Sequence, residues 1–247
     1  HGNPTWSFLY RHIVKDLRDS FRCIALDFPG FGLSEAPAGY DFKPASHARI
    51  LEEFIETLDL KDVTLMVQDW GGPIGMWVAT RQPERFARLV IGNTWAWSAK
   101  GDKHFERFSA LLGGPIGGFL IRHFNIFVDR LIPAGTPLSK PSEEIMDAYR
   151  GPFAEKDSRA PTHVFPREII ASQDFLAEIE ASLDRLRDKP AVIVWGDKDI
   201  AFRKKELARW QILLPKARTV MLPGAGHYIQ EESPTEIATA IRELHAL

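Results

Sequence analysis

Apolar and polar positions along the chain alternate between two rhythms. Short apolar runs bounded by turn residues read as buried strands at Phe21–Asp27, at Val63–Val67, at Leu89–Asn93, at Ala191–Gly196 and at Arg218–Leu222. Between them, Trp6–Leu17, His47–Leu58, Ile74–Ala79 and Glu206–Leu214 carry apolar residues at helical spacing, and a last helix is expected to begin around Glu231–Thr235. Strands alternating with helices predict an α/β fold built on a mostly parallel, doubly wound sheet. From about Trp97 the rhythm changes. Residues Lys103–Ala181 read as helical or irregular pieces, broken at Gly113-Gly114-Pro115, Gly117-Gly118, Pro133, Pro137, Pro141 and Pro152. This predicts a helical cap inserted into the sheet domain, with core residues 1–97 and 186–247 flanking a cap at 98–185. Ordinary packing between cap and core accounts for most cap aromatics, and a minority should line a pocket.

The opening His1–Trp6 reads as a loop that follows a strand, so the strand that aims it, with earlier edge strands, is expected upstream of this sequence. A length of 247 residues suits one α/β domain with an insertion. The 31 basic and 33 acidic residues give a net charge of −2, which argues against nucleic acid or an anionic membrane as partner. Cys23 is the only cysteine, which rules out an intramolecular disulfide; its setting suggests a buried strand residue, and its scarcity fits the cytoplasm. Neither a leader peptide nor an apolar run long enough to span a membrane is evident.

Candidate chemistry concentrates where the second apolar run ends, at Gln68-Asp69-Trp70-Gly71-Gly72. Strand, tight turn and helix in succession match the nucleophile elbow G-x-S-x-G, with Asp69 in place of serine and Gly71 retained. A carboxylate there is ionised near neutral pH and attacks without a base; the alternative is that Asp69 caps the following helix. His227, in the glycine-flanked loop Pro223–His227 after a strand, is the candidate base, whereas His12, His47, His104, His123, His163 and His245 suit surface or core roles. Asp197 and Asp199 both follow the Ala191–Gly196 run and are rival orienting acids. Nucleophile, acid and histidine then occur in the order seen in α/β hydrolases. Trp70 alone is equally a core aromatic, and Asn3 before Pro4 reads more readily as turn chemistry than as a functional residue. Gly30-x-Gly32 lacks the third glycine of a dinucleotide site, no cluster has metal-ligand spacing, and Glu231-Glu232 reads as a solvated helix start.

The segments HGNPTWSFLYR, DFPGFGLSE, QDWGGPIG, IGNTWAW, WGDKDIAF and GAGHYIQEE, spread over nearly the whole chain, resemble haloalkane dehalogenases of the α/β-hydrolase superfamily. That resemblance implies hydrolysis of a carbon–halogen bond to an alcohol, a halide and a proton, with no metal or organic cofactor. The implied partners are a small apolar halogenated substrate and a halide ion, with no nucleic acid and no membrane; the protein would be a monomer or a homo-oligomer. It assigns Asp69 as nucleophile, His227 as base and Asp199 as the triad acid. Asn3 and Trp70 become the halide-stabilising pair and, through their backbone N–H groups, the oxyanion hole. The combination of Asp69, His227 and Asp199 with Asn3 and Trp70 is similar to the third, less studied subfamily, because the Asn93–Trp97 stretch has no acid and the cap has no tryptophan. An epoxide hydrolase would share the triad but is expected to bring activating tyrosines from the cap, where only Tyr149 lies. A fluoroacetate dehalogenase would place an arginine near the nucleophile, and a non-catalytic binding member would have lost one of these groups.

Overall fold

In a computed structural model, which describes residues 1–246, the sheet has four parallel strands in sequential order. They are β1 (Val63–Asp69), β2 (Phe86–Thr94), β3 (Ala191–Gly196) and β4 (Arg218–Leu222). Successive side chains of β2 and β3 enter opposite cores, as a pleated strand requires. Leu89, Ile91, Ile193 and Trp195 join the larger core. Val90, Val192 and Val194 face the other side, packing with Ile13 and Leu17 of α1 (Arg11–Leu17) and with Ile237, Ile241 and Leu244 of the C-terminal helix Pro234–His245. Every residue of β3 is buried, which explains why its sequence is continuously apolar instead of alternating.

The helix α2 (Pro44–Thr57) starts at a proline, whose fixed φ suits a first turn, and buries Leu51 and Ile55. It packs on α3 (Gly71–Arg81), which leaves β1 directly and is buried from Gly71 to Thr80. Between β2 and β3 the chain forms the inserted cap, beginning with α4 (Lys103–Gly113) and α5 (Pro115–Phe124). Asp102 caps α4 by accepting from the His104 N–H at 3.1 Å. Residues Ala160–Ala171 supply a further helix that lies against α4.

Phe21–Asp27 differs from its predicted state. The segment has no regular secondary structure and joins no strand ladder, since β2 is the only neighbour of β1 among the described residues. Apolar alternation specifies an extended chain; a strand also needs a partner edge. Cys23 is accordingly half-buried. Glu231 and Glu232 are not a solvated helix start either. Glu231 takes a bidentate bond from Arg11 at 2.5 and 2.7 Å and the Tyr149 hydroxyl from the cap. Glu232 accepts the N–H groups of Gly226 at 2.6 Å and Leu138 at 2.6 Å. Together these bonds join the cap to the loop that carries His227.

Candidate active site

The β1–α3 turn positions Asp69 by a backbone conformation that side-chain-bearing residues seldom adopt, with φ at +49°. The β1–β2 register slips between Val67 and Asp69, so the last residue of the strand is re-aimed above the sheet end. Close approach around it requires glycine at two places. A Cβ on Gly2 would stand 2.1 Å from Asp69 Oδ2, and one on Gly72 would stand 1.9 Å from Thr94 Oγ1.

Asp69 Oδ2 accepts the backbone N–H of Asn3 at 2.8 Å, and its Oδ1 lies 3.8 Å from His227 Nε2. Burial pushes the Asp69 carboxyl above its ordinary value, opposed by His227 and by the N–H groups of Asn3 and Trp70. His227 Nδ1 lies 3.0 Å from Asp199 Oδ2. Burial by itself would lower the pKa of His227, but the hydrogen-bonded Asp199 carboxylate, aided by Asp69, outweighs it and holds the imidazole above its ordinary value.

Asp199 and Asp197 separate clearly. Asp199 Oδ1 accepts the Ala201 N–H at 2.7 Å, and its Oδ2 also accepts Asn93 Nδ2 at 2.8 Å. Asp197 instead accepts the Gly224 N–H at 2.7 Å, as a turn-capping aspartate does. Asn93 is held in turn, its Oδ1 taking the Gly196 N–H at 2.8 Å. Sequence reasoning marked Asn93 only as a place without an acid; its position at the end of β2, level with the turn after β3, was the available signal.

Above these groups is a cavity of about 200 Å³ whose walls are mostly aromatic and aliphatic, among them Trp95, Phe105, Phe108, Phe127, Ile169 and Phe202. Asn3, Asp69, Trp70 and His227 all border it. Trp70 is clamped between Phe165, stacked at 5.1 Å, and Trp95, edge-on at 4.7 Å. The Asn3 amide donates one N–H to the carbonyl of Thr162 on the cap at 3.0 Å, which fixes its orientation and leaves its second N–H to turn elsewhere. His104 departs from its predicted surface or core role and lines the cavity. Tyr149 does not border the cavity, its hydroxyl being engaged by Glu231. Among the described residues no cluster of three or more His, Cys, Asp or Glu could hold a metal ion, and no helix is long and apolar enough to cross a membrane.

A sheet-end carboxylate on a strained elbow, backed by a histidine and a second acid, defines a class, and the chain is a member of it: the α/β-hydrolase fold family model matches residues 1–234. Haloalkane dehalogenase 2 of Mycobacterium tuberculosis is 43% identical over 245 residues, covering 98% of this chain and 85% of that protein. The chain belongs to the haloalkane dehalogenase family of that fold. Solved structures agree: haloalkane dehalogenase DbeA from Bradyrhizobium elkani matches with a TM-score of 0.88 at 29% identity, over 100% of this chain and 89% of that one. A second kind of relative is the cis-3-alkyl-4-alkyloxetan-2-one decarboxylase of Shewanella oneidensis, 36% identical, covering 98% of this chain and 79% of that protein.

Proposed function

We propose that this enzyme hydrolyses haloalkanes to alcohol and halide through an alkyl ester on Asp69. The observation that carries the reading is the division of labour between the two Asp69 oxygens. Oδ2 is held by the Asn3 N–H, so Oδ1 is the oxygen free to attack a saturated carbon in line behind the departing halide. The side-chain N–H groups of Asn3 and Trp70 are neutral donors that gain strength as charge builds on the halogen. In the second step His227, oriented by Asp199, deprotonates a water that attacks the Asp69 carboxyl carbon. The carbonyl oxygen, already facing the Asn3 N–H, then becomes the oxyanion, with the Trp70 N–H as second donor. Residues 98–185 act as the cap that keeps bulk water from the ester and admits small apolar substrates by shape. The cytoplasm is the proposed location.

Tyr149 is the only cap tyrosine and is tied to Glu231, away from the cavity, which disfavours epoxide opening. A second reading has an observation of its own, the likeness to oxetan-2-one decarboxylases. The test is halide release from 1,2-dibromoethane and 1-bromobutane, with styrene oxide and a cis-3,4-dialkyl-oxetan-2-one turned over in parallel. Bromide release with stoichiometric alcohol is expected. Turnover of the epoxide or the oxetanone alone would replace this reading with the corresponding alternative.

A further inference from the structure

Gln68, the residue before the nucleophile, has no part in the chemistry above, yet it is fully buried against the base. Its Nε2 lies 3.1 Å from the His227 carbonyl oxygen and 3.1 Å from His227 Nε2. A backbone carbonyl only accepts, so the Gln68 atom facing it must be the amide nitrogen. The second amide hydrogen therefore points at His227 Nε2, which must carry a lone pair to receive it. Nδ1, facing the Asp199 carboxylate, carries the ring proton instead.

We propose that Gln68 is a positioning residue that holds His227 as the neutral Nδ1–H tautomer, its amide N–H keeping Nε2 unprotonated until the hydrolytic water takes its place at that lone pair. The need for such a residue follows from the neighbours. His227 stands between two carboxylates, Asp199 at Nδ1 and Asp69 at 3.8 Å from Nε2, and both draw a second proton onto the ring. Tyr228 beside it, Glu232 on the following helix and His104 across the cavity are the other titratable groups around it. A protonated His227 is a spent base, and it also pairs with the oxygen of Asp69 that must attack. Protonating Nε2 would set an N–H against the Gln68 N–H. Rotating the amide to present Oε1, which has no partner where it stands, would instead set that oxygen against the His227 carbonyl. Either way the second proton is disfavoured, and the nucleophile stays free.

The assignment rests on His227 being the base proposed above, and the test therefore includes a readout that needs no substrate. In ¹⁵N-histidine NMR of the whole protein, His227 of the Gln68→Met variant is expected to titrate about one pH unit above the native protein, one unit being a tenfold change in the protonation equilibrium. Gln68→Glu, which replaces the donor by an acceptor, is expected to move it further in the same direction. The acid limb of alkyl-enzyme hydrolysis should shift upward in step. Unchanged His227 titration in both variants, or a loss of rate that is equal at every pH, would overturn the proposal. So would an Nε2–H tautomer in the native protein at alkaline pH, a result that needs no variant to fold. Failure of halide release alone would count against the substrate and leave the NMR result standing.

Discussion

The floor and the roof of the cavity are built on opposite plans. At the floor, polar groups fasten one another: Asp199 takes bonds from Ala201, Asn93 and His227, Asn93 is itself held by Gly196, and Asp69 by Asn3. The roof is contributed by the cap, where Phe105, Phe108, Phe127, Leu131 and Ile169 offer mainly apolar surface. A floor of this kind tolerates little change, because removing one partner leaves a buried polar group unmatched. An apolar roof holds substrates by shape and area, and exchanges there that conserve volume leave no polar group unmatched. The two regions should therefore respond to substitution in different ways: the floor in rate and pH dependence, the roof in substrate preference.

The largest expected effect is at the proposed nucleophile. Asp69→Asn should lower halide release by a factor on the order of 10⁴ or more, since the amide is a poor nucleophile and the remaining groups only bind. Residual activity within tenfold of the native enzyme would break the floor's claim to the chemistry. His227→Ala should give one equivalent of halide per enzyme and then stop, leaving an alkyl adduct on Asp69 detectable by mass spectrometry. Continued turnover would show that another base serves. Asp199→Asn should cost about 10²–10⁴-fold in the hydrolytic step. It also carries a sign. Burial opposes protonation of His227 while Asp199 favours it and prevails, so the native acid limb should lie above that of an ordinary histidine and move down when that carboxylate is removed. An upward shift would refute the assigned partnership. The roof gives the smallest change in rate: Phe105→Ala should destabilise the fold by about 3–5 kcal/mol and favour 1-bromohexane over 1-bromobutane by roughly tenfold more than the native enzyme does. If it instead moved the pH profile, floor and roof would not be separable.

The floor was also the more legible region of the sequence, for a physical reason. Asp69, Asp199 and His227 each follow an apolar strand run that ends in turn residues, and parallel strands bring such ends to one edge. What stayed hidden depends on bonds between distant residues. Asp197 and Asp199 are two positions apart in one loop, so spacing alone left them rivals; the resemblance chose Asp199, and it is Asp199 that meets His227 in the folded chain. Asn93 and Gln68 act through side-chain bonds that span 106 and 159 residues, beyond any local pattern. Phe21–Asp27 failed in the other direction: its local pattern was sound, but strand pairing is a property of two segments. In the cap, helical spacing announced helices, while the cavity-facing role of His104 is set by how α4 is laid across the sheet end.

One bond from floor to roof has a bearing on how such an enzyme diversifies. Asn3 is steadied by the carbonyl of Thr162, an atom every amino acid supplies. The hydrogen bond to Asn3, the proposed leaving-group donor, therefore survives any exchange of the side chain at that buried cap position that keeps its volume. Natural selection can explore new substrate shapes through the roof while the chemistry beneath is inherited intact.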